Sequence, residues 1–117
     1  MDLSGKLQLR AGTALEVLGA PEALDLEAVE LGGPGSPAVL AFLRMRADLE
    51  TAGDAIDAAR QDRLAWLAYP KAGALGTDLN RDRLAEAARR FGIRPVRQIA
   101  LDQTWSALRF RPAPAEA

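Results

Sequence analysis

The chain contains neither cysteine nor histidine. Without cysteine there are no disulfide staples and no thiolate nucleophile. Without histidine the commonest general base near neutral pH is missing. Together the two absences exclude zinc sites of the Cys/His kind and hydrolases of the Ser-His-Asp or Cys-His kind. Lysine is almost absent too, with Lys6 and Lys71 its only representatives, so arginine supplies nearly all of the positive charge. That bias is what GC-rich coding produces. Its chemical consequence is a surplus of forked donors that suit carboxylates and phosphates. Long apolar runs are also lacking, and none approaches the ~20 residues of a membrane span. The opening Met1-Asp2-Leu3-Ser4-Gly5-Lys6 carries no apolar signal segment, so a cytoplasmic protein with no membrane partner is expected. A net charge of −1 exerts no whole-chain pull on nucleic acid, which is not the expected partner.

What is present is an ordinary globular balance. The chain has 117 residues, 49% of them hydrophobic and 26% charged, enough for one core and not two. A single domain over residues 1–112 is expected, with residues 113–117 as a flexible tail. Residues 13–19 read as a short strand closed by Gly19. Pro21 suits the first turn of a short helix over residues 21–26. Residues 28–31 read as a brief edge strand, and the Gly/Pro-rich stretch after them as a loop. Residues 38–44 and 64–69 are apolar at consecutive positions, as in strands covered on both faces. Between them Leu49, Ala52, Ile56 and Ala59 recur at helical spacing, with Asp48 or Thr51 available as cap. A second helix begins near Thr77, Asp78 or Asn80, buries Leu79, Leu84, Ala87 and Ala88, and stops at Gly92. Residues 95–101 and 105–111 form two strands, and the short Asp102-Gln103-Thr104 link requires them to be antiparallel neighbours. The alternation predicts an α/β fold: a three-layer, Rossmann-like, mostly parallel sheet of five or six strands with a C-terminal antiparallel hairpin.

Residues 64–71, the helix from about Asn80, and the pair 96–101 and 105–110 give this plan a likeness. It is similar to the C-terminal half of Rossmann-type methyltransferases, where the last helix also leads into a terminal hairpin. More of the chain, from about Lys6 to Pro112, resembles an uncharacterised bacterial domain-of-unknown-function family. Residues 66–71, Thr77-Asp78-Leu79-Asn80-Arg81 and residues 102–109 carry that resemblance, which implies a fold and no established activity. The first-strand turn departs from the methyltransferase pattern. Those enzymes seat their cofactor on a glycine-rich turn whose backbone N–H groups approach the ligand. Here the turn reads Leu18-Gly19-Ala20-Pro21-Glu22, with one glycine and a proline that removes a donor. An acidic ribose partner is expected roughly 20 residues further on, and Glu30 comes too early.

In an open parallel sheet, ligands bind beyond the carboxyl ends of the strands. That rule nominates Gly19 and Ala20, Arg44 and Arg46, Tyr69 to Lys71, and the turn from Asp102 to Trp105 as a convergent ligand-binding crest, to which Asp78 at the following helix start is added. Each has a plainer role. Lys71 is a loop lysine or an ion-pair partner of Asp78. Asp78 is a helix cap, and Asp102 with Trp105 fixes a turn or pairs with Arg44 or Arg97. Arg94, Arg97, Arg109 and Arg111 form a basic stripe on the hairpin. No catalytic residue, metal or cofactor emerges. The expectation is a non-catalytic binding or interaction module, acting on a protein partner or a second copy through its long terminal strand. The alternative is a small-ligand-binding or degenerate S-adenosylmethionine-dependent methyltransferase-like domain.

Overall fold

The computed structural model describes residues 3–114 apart from Ala23, Ala28 and Ala72. The elements run α1 (Leu3–Lys6), β1 (Ala14–Leu18), β2 (Glu30–Leu31), β3 (Ala38–Phe42), α2 (Gly53–Arg60), β4 (Leu64–Pro70), α3 (Arg81–Arg89), β5 (Ile93–Ala100) and β6 (Trp105–Pro112). Two 3₁₀ segments, Arg46–Thr51 and Ala74–Gly76, precede α2 and α3. The strands form one mixed sheet in the order β2-β1-β3-β4-β6-β5. β2, β1, β3 and β4 are parallel, and β6 is antiparallel to both β4 and β5. All five residues of β3 and six of the seven in β4 are buried, as the unbroken apolar runs predict.

The sheet separates two apolar clusters. Val39, Ala41, Ala65, Leu67, Leu108 and Phe110 meet the inner faces of α2 and α3, where Ile56, Ala59, Leu84 and Ala88 are buried. Both helices lie on this one face. The connections β3–β4 and β4–β5 step the same way across the sheet, so crossovers of one hand put both helices together. The opposite cluster holds Leu15, Leu40, Phe42, Trp66, Ala107 and Trp105. It is covered by α1 and by irregular chain bearing Leu9, Leu24 and Val29. The Trp66 indole Nε1 donates to the Leu7 carbonyl at 3.0 Å, pinning that cover to the sheet.

Local chemistry decides the elements that differ from expectation. Residues 21–26 form no helix among those described. Leu24 N bonds Pro21 O in a single turn, and Asp25 Oδ1 then captures the Glu27 N–H. An Asx side chain that takes a backbone N–H in this way offers the chain an alternative to a helical ladder. The brief edge strand shortens to β2, and Ala28 lies outside the described residues. Neither Asp48 nor Thr51 caps α2, whose N-cap is Ala52 with no side-chain bond. Asn80 alone of the three candidates caps α3, accepting from Arg83 N at 2.8 Å. Gly92 takes φ +78° past the end of α3, as a stop glycine does. Ala113 N still bonds Gly92 O at 2.9 Å, and residues 115–117 of the expected tail lie outside the described residues.

The terminal strand β6 is an inner strand, its backbone paired on both sides, so it has no free edge. The long edge is β5, and it is blunted. Pro95 removes a donor, the register shifts between Pro95 and Arg97, and Arg94 and Arg97 are exposed along it.

Candidate functional site: the carboxyl edge of the sheet

Register brings the nominated crest together. Leu18 lies opposite Ala41, Phe42 opposite Ala68, and Pro70 opposite Trp105, so β1, β3 and β4 end where β6 begins. Lys71 N donates to the Thr104 carbonyl at 2.8 Å, tying the end of β4 to the hairpin turn. Gly19 adopts φ +69°, and a β-carbon there would stand 3.3 Å from the Phe42 carbonyl oxygen. Glycine takes this conformation without strain and lets β1 leave the sheet close to β3 without a tight contact. Phe42 and Trp105 meet edge to face, centroids 5.0 Å apart, in the same buried cluster as Ala68. The Arg44 guanidinium sits 5.7 Å from the Trp105 ring centroid. From the cover, Lys6 Nζ reaches the Leu101 carbonyl at 3.2 Å.

The aspartates of this edge are fastened to backbone. Asp48 Oδ2 accepts from Arg44 N and Met45 N at 2.8 and 3.1 Å, shaping the turn that presents Arg44. Asp78 Oδ1 accepts from Arg46 N at 2.7 Å, joining the loops after β3 and before α3. The cap of α3 is Asn80 instead, and no ion pair joins Asp78 to Lys71 among the described residues. Asp102 Oδ1 accepts from Thr104 N and Trp105 N, both at 2.8 Å, and pairs with neither Arg44 nor Arg97. The side chains of Arg46 and Lys71 make no hydrogen bond or ion pair among the described residues, and Arg44 has only the ring beneath it. Three cations thus stand at one edge with their donors uncommitted.

Tyr69 departs from this group. Strand alternation turns it to the helical face, where it is buried and its hydroxyl accepts from Gln98 Nε2 at 3.0 Å. Burial pushes its phenol above the ordinary value, opposed by hydrogen bonds with Ser106 and Gln98. The basic stripe divides as well. Arg109 bonds Gln8, Arg111 bonds Asp62, and Arg94 and Arg97 lie along the sheet edge.

Sequence reasoning missed Phe42, Lys6 and Glu16. Phe42 closes a strand already legible as buried, so its place at the edge was within reach. Lys6 is brought to Leu101 by chain 95 residues away, and no local pattern signals that. Glu16 is a lone acid between Leu15 and Val17, only 4% exposed, with Oε1 lacking any partner. Burial, followed by hydrogen bonding to and repulsion from Asp54, raises its carboxyl to about 7 against the pull of Arg63.

No protein-family profile matches the chain, and no curated protein matches it in sequence. Among the described residues no helix is long and apolar enough to cross a membrane.

Proposed function

We propose that this chain is a non-catalytic, Rossmann-type binding module that holds a small anionic ligand on its carboxyl-end crest. One observation carries the reading: Arg44, Arg46 and Lys71 follow the carboxyl ends of β3 and β4 with side-chain donors that have no partner among the described residues, and Arg44 lies over the Trp105 ring. Two guanidinium groups and an ammonium recognise carboxylate or phosphate, and the buried Phe42–Trp105 pair is the floor on which Arg44 rests. Nothing at the crest is equipped to move a proton near neutral pH. Its aspartates are engaged by backbone amides, and the chain has no histidine or cysteine. Binding through the terminal strand loses its support, because β6 has a neighbour on each side.

A second reading has one observation in its favour. The antiparallel β6 enters the sheet between β4 and β5, giving the terminal hairpin that the methyltransferase resemblance implies. In this reading the third layer is reduced to α1 and irregular chain, and the cofactor turn keeps Gly19 alone of its glycines.

Thermal-shift titrations of the full chain with ATP, S-adenosylhomocysteine and S-adenosylmethionine separate the two. A rise in Tm with ATP that is lost in Lys71→Ala and Arg44→Ala supports the anion-binding crest. A rise confined to the two S-adenosyl compounds, and unaffected by either substitution, overturns it in favour of the second reading.

A further inference from the structure

At the other end of the sheet, the segment preceding β1 and the first residue of β4 border a half-open cavity of about 380 Å³. Gln8, Arg10, Thr13, Leu64 and Arg109 line it. No carboxylate stands among them. Asp62, which feels the Arg109 charge, has both of its oxygens taken by Arg111 at 2.9 Å.

The lining is an array of donors. Arg10 is exposed and its side chain has no partner among the described residues. The Arg109 Nε is shut off from solvent and makes no hydrogen bond, although its Nη1 donates to Gln8 Oε1 at 3.0 Å. That bond occupies the amide oxygen of Gln8 and leaves its NH₂ group to donate. Thr13 adds a hydroxyl, and Leu64 an apolar wall. A buried charged donor without an acceptor is costly, and an oxygen atom delivered by a ligand removes the cost.

Backbone geometry supports the same assignment. α1 ends with Gln8 N on Gly5 O at 3.1 Å and Leu9 N on Ser4 O at 3.0 Å, the paired bonds of a Schellman stop. The stop residue is Gln8, held at φ +62°, where glycine is the residue free of strain. What glutamine supplies there, and glycine does not, is an amide aimed at Arg109. Strain of this kind gathers at ligand clamps.

We propose that this cavity binds a small oxyanion, carried by a phosphate monoester or a carboxylate. Arg10 and the Arg109 Nε provide the charged hydrogen bonds, while Gln8 and Thr13 provide the neutral ones. The volume is near the lower end for small-molecule sites, which suits a compact ligand. The site is independent of the carboxyl-end crest and stands whether or not that reading holds.

The test is an amide NMR titration of the full-length chain with inorganic phosphate and, separately, acetate, at ionic strength held constant with chloride. Saturable shifts centred on Gln8, Arg10, Thr13 and Arg109 are expected, and whichever probe saturates identifies the oxyanion class. Arg10→Ala and Arg109→Lys should each weaken binding about tenfold or more, since each removes a charge-assisted contact. Gln8→Gly separates binding from folding, because it relieves the backbone while deleting the amide. It should hold or raise Tm and still weaken binding. The proposal is overturned if neither probe saturates these resonances, or if shifts gather at Arg44 and Lys71 instead. It is equally overturned if exposed Arg10→Ala binds as tightly as the unaltered chain.

Discussion

Arg111 grips Asp62 at two points, Nε to Oδ1 and Nη2 to Oδ2, both at 2.9 Å. Asp62 sits in the left-handed region at φ +58°, in the turn between α2 and β4, while Arg111 lies near the end of β6. The pair therefore closes the amino end of β4 against a strand nearly fifty residues away. Both side chains are about half exposed, so water and salt weaken the attraction.

Asp62→Asn keeps a residue that tolerates a positive φ and removes the charge. It should lower Tm modestly at pH 7 in low salt, with the difference from the unaltered chain shrinking in 1 M salt. The Arg111 hydrogen bonds hold the Asp62 carboxyl below its ordinary value. A depressed acid contributes stability above its unfolded value and loses it as pH falls through the folded one. The advantage of the unaltered chain should accordingly vanish in acid, as read by thermal melts between pH 7 and pH 2.

Glu16 should act with the opposite sign. Its carboxyl is raised from 4.5 to about 7, so between those values the folded chain holds a proton that the unfolded chain has released. Stability from this group is complete below the unfolded value and is lost as pH rises through the folded one. Denaturant melts should show stability falling from pH 5 to pH 8, with a slope approaching one proton. Glu16→Gln should flatten that slope and be the more stable chain at pH 8, by about 1 kcal/mol, the cost of a buried charge without a full set of partners. Asp54 and Arg63 are the other ionisable groups that act on it, so Asp54→Asn should shift the same transition toward lower pH.

Trp66→Phe should detach the cover from the sheet. The substitution keeps a large ring in the core and deletes the bond to the Leu7 carbonyl. A loss of about 1–3 kcal/mol is expected, because a buried carbonyl forfeits its donor. Amide hydrogen exchange should quicken at Leu7 and Leu9, whose N–H groups are bonded within this segment, more than in α3. Uniform acceleration across the chain would count against a local tether.

Local chemistry made most of the sheet legible. The unbroken apolar runs at 38–44 and 64–69 identify β3 and β4 because a strand covered on both faces has no polar side to show. Asp102 shows its role at once, since a short turn supplies the N–H groups that its carboxylate accepts. Gly19 marks the end of β1 for a similar reason: its φ is open to glycine at no steric cost. Residues 21–26 misled because a proline start is permitted in a helix and in a turn alike, and Asp25 chose the turn.

By itself, then, the sequence determined the strands, the hairpin, a helix start within residues 77–80 and the absence of histidine and cysteine chemistry, all of which depend on neighbours along the chain. The tertiary structure alone decided that Tyr69 leaves the crest, because which alternating side of β4 meets the helices is set by packing. It decided that β6 is an inner strand, because pairing order is set by which edges are open when the sheet assembles. It also brought Gln8 to Arg109 and Lys6 to Leu101, contacts across 101 and 95 positions that carry no periodicity in the sequence.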